Sequence, residues 1–302
     1  MSDLSDPEAL MASFLTLPLH PVPGSVLDFL IETFPHVPAA EWRRRIADGL
    51  VSFDDGRVIT ETTRCVSGAR IRYFRSVEDE PRAQASEEIL DEDAHRLVAD
   101  KPHGMPTTPG GDYLRRSLLY RLIERTGRED LHPVHRLDRE TAGVVLFAKG
   151  KAAASAYGRL FGEHRVAKEY LALARVEREP GRSVWTVETR LVAGEPFFRM
   201  RIAEGGAVNA RTLVHLIEHR GRTGLFRLFP KTGKKHQLRV HLASLGFPIL
   251  NDRYYPVLEP ERPFDAERPL QLLASRLSLV DPWTGREMTW RSRRRLVSGD
   301  QS

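Results

Sequence analysis

The chain has 302 residues, 41% hydrophobic and 29% charged, with 46 Lys and Arg against 41 Asp and Glu for a net charge of +5. This length suits one large domain with a small companion, and the composition excludes a disordered, collagenous or membrane-embedded chain. The single cysteine, Cys65, excludes an internal disulfide framework and a multi-cysteine metal site, and suits a reducing compartment.

Residues 1–23 read as an N-terminal extension. They are mildly apolar around Leu10 to Leu19, lack a basic leading region and are interrupted by Pro18, Pro21 and Pro23. Neither a signal peptide nor a membrane span is expected, which leaves the cytoplasm as the expected compartment.

Residues 24–75 read as a small α/β domain. Ser25 is an N-cap for a helix that places Val26, Phe29, Leu30 and Phe34 at helical spacing, and Pro35 ends it. A second helix opens at Pro38, carries Trp42 and Ile46 on one face and Arg43, Arg44 and Arg45 on the other, and ends at Gly49. Leu50 to Phe53 and Arg57 to Ile59 flank Asp54-Asp55-Gly56, a hairpin signal, and Gly68 to Phe74 alternates like a strand. Residues 76–94 hold eight acids against Arg82 alone, too polar to offset their ordering entropy, and read as a mobile acidic linker.

Residues 95–296 read as the main domain. Strand candidates at Glu169 to Ala174, Trp185 to Val192, Ala210 to Glu218 and Leu225 to Phe229 follow one another without intervening helices. An α+β fold with a mixed, mostly antiparallel central sheet flanked by helices is therefore expected. Arg291 to Arg295 reads as a solvated charge run before a tail at residues 297–302.

Three motifs carry chemistry. In His135-Arg136-Leu137-Asp138-Arg139 a carboxylate sits between two guanidinium groups just before the apolar run Val144 to Ala148. Such neighbours are expected to lower its pKa and keep it ionised, as a nucleophile or charge stabiliser. The second motif, Lys231 to His241, lies in a stretch with Arg222, Arg227, Lys231, Lys234, Lys235, Arg239 and Arg253 against Asp252 alone, the electrostatic footprint of phosphate contacts. If this segment is extended, Gln237, Arg239 and His241 share one face and Arg239 reaches a buried carboxylate such as Asp138. The third, Lys168-Glu169-Tyr170, offers a phenol able to stack on a base. A metal-dependent nuclease using His132, His135, His236 and His241 with Asp138 is one competing reading, and a non-catalytic RNA-binding or assembly protein is another.

Taken together with Lys101-Pro102-His103-Gly104 and Asp252-x-x-Tyr255, these motifs resemble those of the RluA-type pseudouridine synthases over most of residues 95–279. Residues 24–75 resemble the small ribosomal-S4-like RNA-binding domain, which makes Arg43, Arg44 and Arg45 candidate RNA contacts. The resemblance implies isomerisation of uridine to pseudouridine, with Asp138 as the attacking group, Tyr170 stacked on the base and Arg239 paired with the aspartate. It further implies Leu238 packed against uracil and Arg136 filling the space left by the flipped nucleotide. His135, Lys234, Lys235, His236 and Gln237 are expected to contact substrate. No cofactor and no metal are implied. The expected partner is RNA, ribosomal large-subunit RNA first and transfer RNA second, with no membrane partner and a monomeric enzyme. Lys234 and Leu273 depart from the family's usual arginine and histidine, so the resemblance speaks for the reaction more than for the RNA target.

Overall fold

The computed structural model describes residues 12–19, 24–35, 37–74, 85–109, 113 and 115–297. The chain divides into two compact units, residues 1–81 with 111–115, and residues 82–110 with 116–302. Among the described residues no helix is long and apolar enough to cross a membrane.

In the first unit, β1 (Ala12–Thr16), α1 (Val26–Thr33), α2 (Ala39–Ala47), β2 (Val51–Phe53) and β3 (Arg70–Phe74) build a three-stranded antiparallel sheet in the order β1-β3-β2 beside two helices. Ser25 does cap α1, in a reciprocal box: Asp28 N–H donates to Ser25 Oγ at 3.2 Å and Ser25 N–H donates to the Asp28 carboxylate at 2.9 Å. Leu30, Trp42, Ile46, Val51, Ile71 and Tyr73 form its buried core. Two expectations change. The anticipated extension supplies β1, because β3 is open on the edge away from β2 and Leu17 buries against the core. Residues 57–59 are not a strand; a single bridge, Ser52 to Val58, closes the turn, and β2 pairs with β3 instead.

The second unit runs β4 (Glu88–Glu92), β5 (Arg96–Lys101), α3 (Leu118–Thr126), β6 (Leu131–Pro133), β7 (Ala142–Lys149), α4 (Gly150–Gly162), β8 (Ala167–Arg175) and β9 (Val184–Thr189). It continues with β10 (Leu191–Ala193), β11 (Met200–Ile202), β12 (Ala210–Arg220), β13 (Thr223–Pro230), α5 (Gln237–Ser244), β14 (Leu272–Val280) and β15 (Glu287–Arg291). The large sheet is ordered β4-β5-β7-β14-β8-β13-β12-β9, with β15 on β14 and β6 on β7, and β10 and β11 form a separate hairpin. Among the described strands the one parallel pairing is β7 with β14. This is the expected mixed, mostly antiparallel sheet flanked by helices.

The run Val144 to Ala148 is apolar throughout because β7 is covered on both faces. Val144, Leu146 and Ala148 pack toward Tyr157 and Leu160 of α4. Val145 and Phe147 pack toward Leu118 and Leu122 of α3. Across the sheet, β8, β9, β12 and β13 turn Ala172, Trp185, Val214 and Phe226 toward Leu238 and Leu242 of α5.

The expected acidic linker is overturned over its described part. Residues 88–92 are β4, and their charges find cations both near and distant in sequence: Arg96 binds Asp91 at 3.0 Å, Lys149 binds Glu92 at 2.6 Å and Arg293 binds Glu88 at 3.2 Å. Charge matching with the following domain, not local composition, decides the outcome; residues 75–84 lie outside the described residues. The basic run near the end is also tied down. Arg293 N–H donates to Asp100 at 2.7 Å, and Arg294 bonds the carbonyl oxygens of Ser86 and Asp100.

Gly143 fixes the parallel junction. Its φ is +118°, and a Cβ there would lie 2.2 Å from the backbone oxygen of Ala274 on β14. Gly143→Ala is expected to lower the unfolding free energy by roughly 2–4 kcal/mol through backbone strain and overpacking. Urea denaturation measures this, and a loss below about 0.5 kcal/mol would contradict the close approach.

Candidate active site

The turn after β6 carries Asp138 and is clamped from beneath. Thr107 Oγ1 donates to Leu137 O at 3.0 Å while Leu137 N–H donates back to Oγ1 at 3.1 Å. Thr141 N–H donates to Asp138 O at 3.0 Å. Lys101, fully buried at the end of β5, donates to the carbonyl oxygens of Pro102, Met105 and Arg139, at 3.0, 2.6 and 3.1 Å. These bonds fix the backbone on both sides of Asp138 and leave its side chain at the floor of a cleft of about 230 Å³.

The opposite wall is the loop from β13 to α5. Gln237 shapes it with all four amide positions in use. Its Oε1 accepts from Thr232 Oγ1 at 2.7 Å and Lys234 N–H at 3.0 Å. Its Nε2 donates to Arg211 O at 3.0 Å and Thr212 Oγ1 at 2.9 Å. The segment 237–244 is a helix, not the extended strand that was one option, and residues 237–242 are all buried. A helix buried all round shows no amphipathic stripe. Leu238 and Leu242, four apart, face the β8–β13 core, while Arg239 emerges on another side.

Arg239 is 1% exposed and forms a fork onto Asp252, with Nε at 2.8 Å and Nη2 at 2.5 Å, and Nη2 also reaches Glu140 at 3.1 Å. The rings of Tyr254 and Tyr255 lie 4.7 and 5.5 Å from the guanidinium carbon. Burial opposes the charge, but the Asp252 hydrogen bonds and the charges of Asp252, Glu140 and Asp138 hold it protonated far above neutrality. The expected direct pairing with Asp138 is therefore corrected. Arg239's bonded partners are Asp252 and Glu140, and it acts on Asp138 through space.

The expected downward shift of Asp138 is corrected as well. Burial dominates and raises its pKa above the ordinary 3.8; Arg239, Lys101, Arg136 and Lys235, in that order, oppose the rise. Its side chain keeps 29% of its surface open to the cleft. His236 Nε2 lies 3.9 Å from Asp138 Oδ2, and burial first, with Arg239 and Lys235 adding, lowers the imidazole pKa to about 3, so the ring is neutral. Its Nδ1 is 2.9 Å from the Tyr255 hydroxyl, which accepts from Met200 N–H at 2.7 Å. With that hydroxyl donating to Nδ1, the imidazole proton sits on Nε2 and faces the carboxylate. Tyr170, on β8, lines the cleft with its phenol held well above its usual range, first by burial and then by Asp138.

Of the residues expected here, Arg136, Asp138, Tyr170, Lys234, Lys235, His236, Gln237, Leu238 and Arg239 all line this cleft. His135 does not. Its Nε2 accepts from Leu146 N–H at 3.0 Å and its ring stacks on Phe161 at 4.7 Å, satisfying a donor of β7 where β6 diverges. His241 is likewise internal, bound to Thr189 and Thr212 at 2.9 Å each, which removes both histidines from any metal-ligand set. Leu273 lies away from the cleft beside Leu171 and Leu173, and its neighbour Leu272 lines the cleft instead. In the first unit, Arg43 and Arg44 are about half exposed while pairing with Glu61 and Glu41. Arg45 is 11% exposed, bonded to Glu41 and stacked on Trp42, and so is not an outward contact.

Sequence reasoning missed Lys101, Glu140 and Asp252 as parts of the site, although all three lie inside or beside the motifs it singled out. Lys168 also lines the cleft and donates to Thr232 O at 3.2 Å, a place its motif alone does not signal.

The RNA pseudouridylate synthase family model matches residues 95–244. The dual-specificity RNA pseudouridine synthase RluA of Salmonella typhimurium is 35% identical over 205 residues, 67% of this chain and 91% of its own length. The mitochondrial tRNA pseudouridine(32) synthase of Saccharomyces cerevisiae is 30% identical over 234 residues, 76% of this chain and 50% of that protein. The solved structure of human RNA pseudouridylate synthase domain containing 1 aligns with a TM-score of 0.56 and 26% identity, covering 71% of this chain and 86% of that one.

Removing a partner from a buried ion pair strands the other charge, so Asp252→Ala is expected to cost about 3–5 kcal/mol of stability. Asp138→Asn has the opposite sign. A carboxyl with a raised folded pKa destabilises increasingly as pH climbs above 3.8, so the amide variant matches the parent well below that pH and is at least as stable at neutrality. Urea titrations at acidic and neutral pH measure both, and a neutral-pH loss for Asp138→Asn as large as that for Asp252→Ala would refute the assignment.

Proposed function

This chain belongs to the RluA-type RNA pseudouridine synthases, and we propose that Asp138 performs the attack in its isomerisation of uridine. The observation that carries the reading is the convergence of Asp138, Tyr170, Leu238 and a cationic rim on one cleft sized for a single base. The reaction breaks the bond between N1 and the sugar and forms one from C5 to the same carbon; C5 loses a proton and N1 regains one. No electrons are exchanged. Asp138 attacks the sugar or the ring, Tyr170 stacks on the everted base as a neutral phenol, and Leu238 packs the other side. Extruding the nucleotide costs roughly a few kcal/mol of stacking, which these apolar faces and the cations Arg136, Lys234 and Lys235 offset.

The substrate proposed first is large-subunit ribosomal RNA. The N-terminal unit, as an S4-like module presenting Arg43 and Arg44, supports a second grip on an extensively folded RNA. Transfer RNA is the second reading, supported by the 30% identity to a relative named for that substrate. The cytoplasm is the proposed compartment.

Mapping pseudouridines across total RNA from cells with and without the gene tests this reading. At least one site is expected to disappear and to return with the parent chain but not with Asp138→Asn; unchanged maps would refute it. Because Asp138 acts ionised, the acid limb of kcat/KM is expected above 3.8. Lys235→Ala should move that limb higher still, since it removes a cation that favours the carboxylate. A limb at or below 3.8 would show that another group governs it.

A further inference from the structure

We propose that the tip of the β10–β11 hairpin is a stacking subsite for an unpaired base next to the target uridine. This rests on the RNA-modifying reading above and extends it beyond the reacting nucleotide. Phe197 at that tip is 85% exposed, the most open of the large apolar side chains among the described residues. Its ring touches Phe198, centroid to centroid at 5.7 Å and nearly edge-on. Phe198 lies 5.3 Å from Tyr254, and Tyr254 lies 5.5 Å from His236, which lines the cleft and faces Asp138. A continuous row of rings thus leads from the catalytic carboxylate to the exposed phenylalanine in three ring-to-ring steps.

The hairpin is anchored to the site it extends. Met200 N–H on β11 donates to Tyr255, whose hydroxyl bonds His236. Arg199 stacks over Tyr255 at 5.1 Å and donates to Pro256 O at 3.1 Å, while its buried Nε has no partner. Both of those companions are neutral, so its charge is not cancelled there. Arg201 on β11 is exposed, and Glu195 is the acid at the tip. An aromatic face with cations beside it, continuous with a cleft that admits one base, fits a single-stranded polyanion with flat bases. It fits an apolar protein surface less well, since that partner gains nothing from the arginines.

Filter binding of the full chain to in vitro transcripts of large-subunit ribosomal RNA and of transfer RNA, with pseudouridine formation followed in parallel, tests this. Phe197→Ala should weaken binding to the better transcript about 5- to 150-fold, the range for one lost base-stacking contact. The turnover rate at saturating RNA should stay unchanged. Phe197→Leu should behave like the alanine variant and Phe197→Trp like the parent. Binding within twofold of the parent for Phe197→Ala, full retention by Phe197→Leu, or no measurable binding of the parent to either transcript would each overturn the subsite. Phe197 is solvent-facing, so circular dichroism should be unchanged. Failure of the function reading is seen separately, as absence of pseudouridine from reactions of the parent chain; an active parent with an unaffected Phe197→Ala variant removes the subsite alone.

Discussion

The buried guanidinium of Arg239 is the constraint around which this cleft is organised. A charge that is 1% exposed is tolerable only with its donors occupied, and Asp252 and Glu140 occupy them from two separate loops. One partner lies two residues after Asp138, and the other lies two residues before the Tyr254–Tyr255 pair that leads to the β10–β11 hairpin. The same side chain therefore fixes the turn that carries the carboxylate, the helix that carries Leu238, and the aromatic wall beside both. Arg239 is also the strongest of the cations that favour an ionised Asp138, but its hydrogen bonds go to the other two carboxylates, and burial of Asp138 prevails over it.

The sheet brings these loops together through one irregular junction. Antiparallel neighbours can be joined by short turns, but β7 and β14 run parallel and lie far apart in sequence. Their contact at Gly143 and Ala274 sets the start of β7, and hence the 138–141 turn, against Tyr170 and Leu272 from the other half of the sheet. Double coverage of β5 and β7 by α3 and α4 makes that half rigid, so the carboxylate is presented from a fixed edge.

Much of this was legible in the sequence because the relevant signals were local. Ser25 marked a helix start, successive β-like runs gave an antiparallel sheet, and the ordered motifs gave nine of the ten expected cleft residues. What was illegible depended on distant partners. Residues 88–92 look like a solvated acidic run until Lys149 and Arg293 are seen to meet Glu92 and Glu88. Segment 237–244 alternates like a strand because residues 237–242 are all buried, which erases the helical stripe. His135 carries the same imidazole as His236, yet only the position of the Leu146 N–H shows that one is structural and the other faces Asp138. The sign of the shift at Asp138 failed for a related reason: the neighbouring arginines are visible in sequence, whereas the loss of solvent is not.

That sign matters for how the cleft handles a polyanion. Arg136 and Lys235 are exposed, so salt and the phosphates of an incoming RNA screen them and weaken their support for the carboxylate. Lys101 is different. It is fully buried, and carbonyl oxygens hold it where a carboxylate would have cancelled its charge. Burial lowers its pKa to about 7 even with Asp138 opposing the fall, so the two groups support each other's charged forms. Three carbonyl acceptors match the three protons of an ammonium and leave no place for an amine lone pair, which favours the charged lysine further. Phosphates at the rim would therefore weaken only the exposed cations' support for the ionised carboxylate, while the buried Arg239 and, when charged, Lys101 lie out of their reach and continue to favour it.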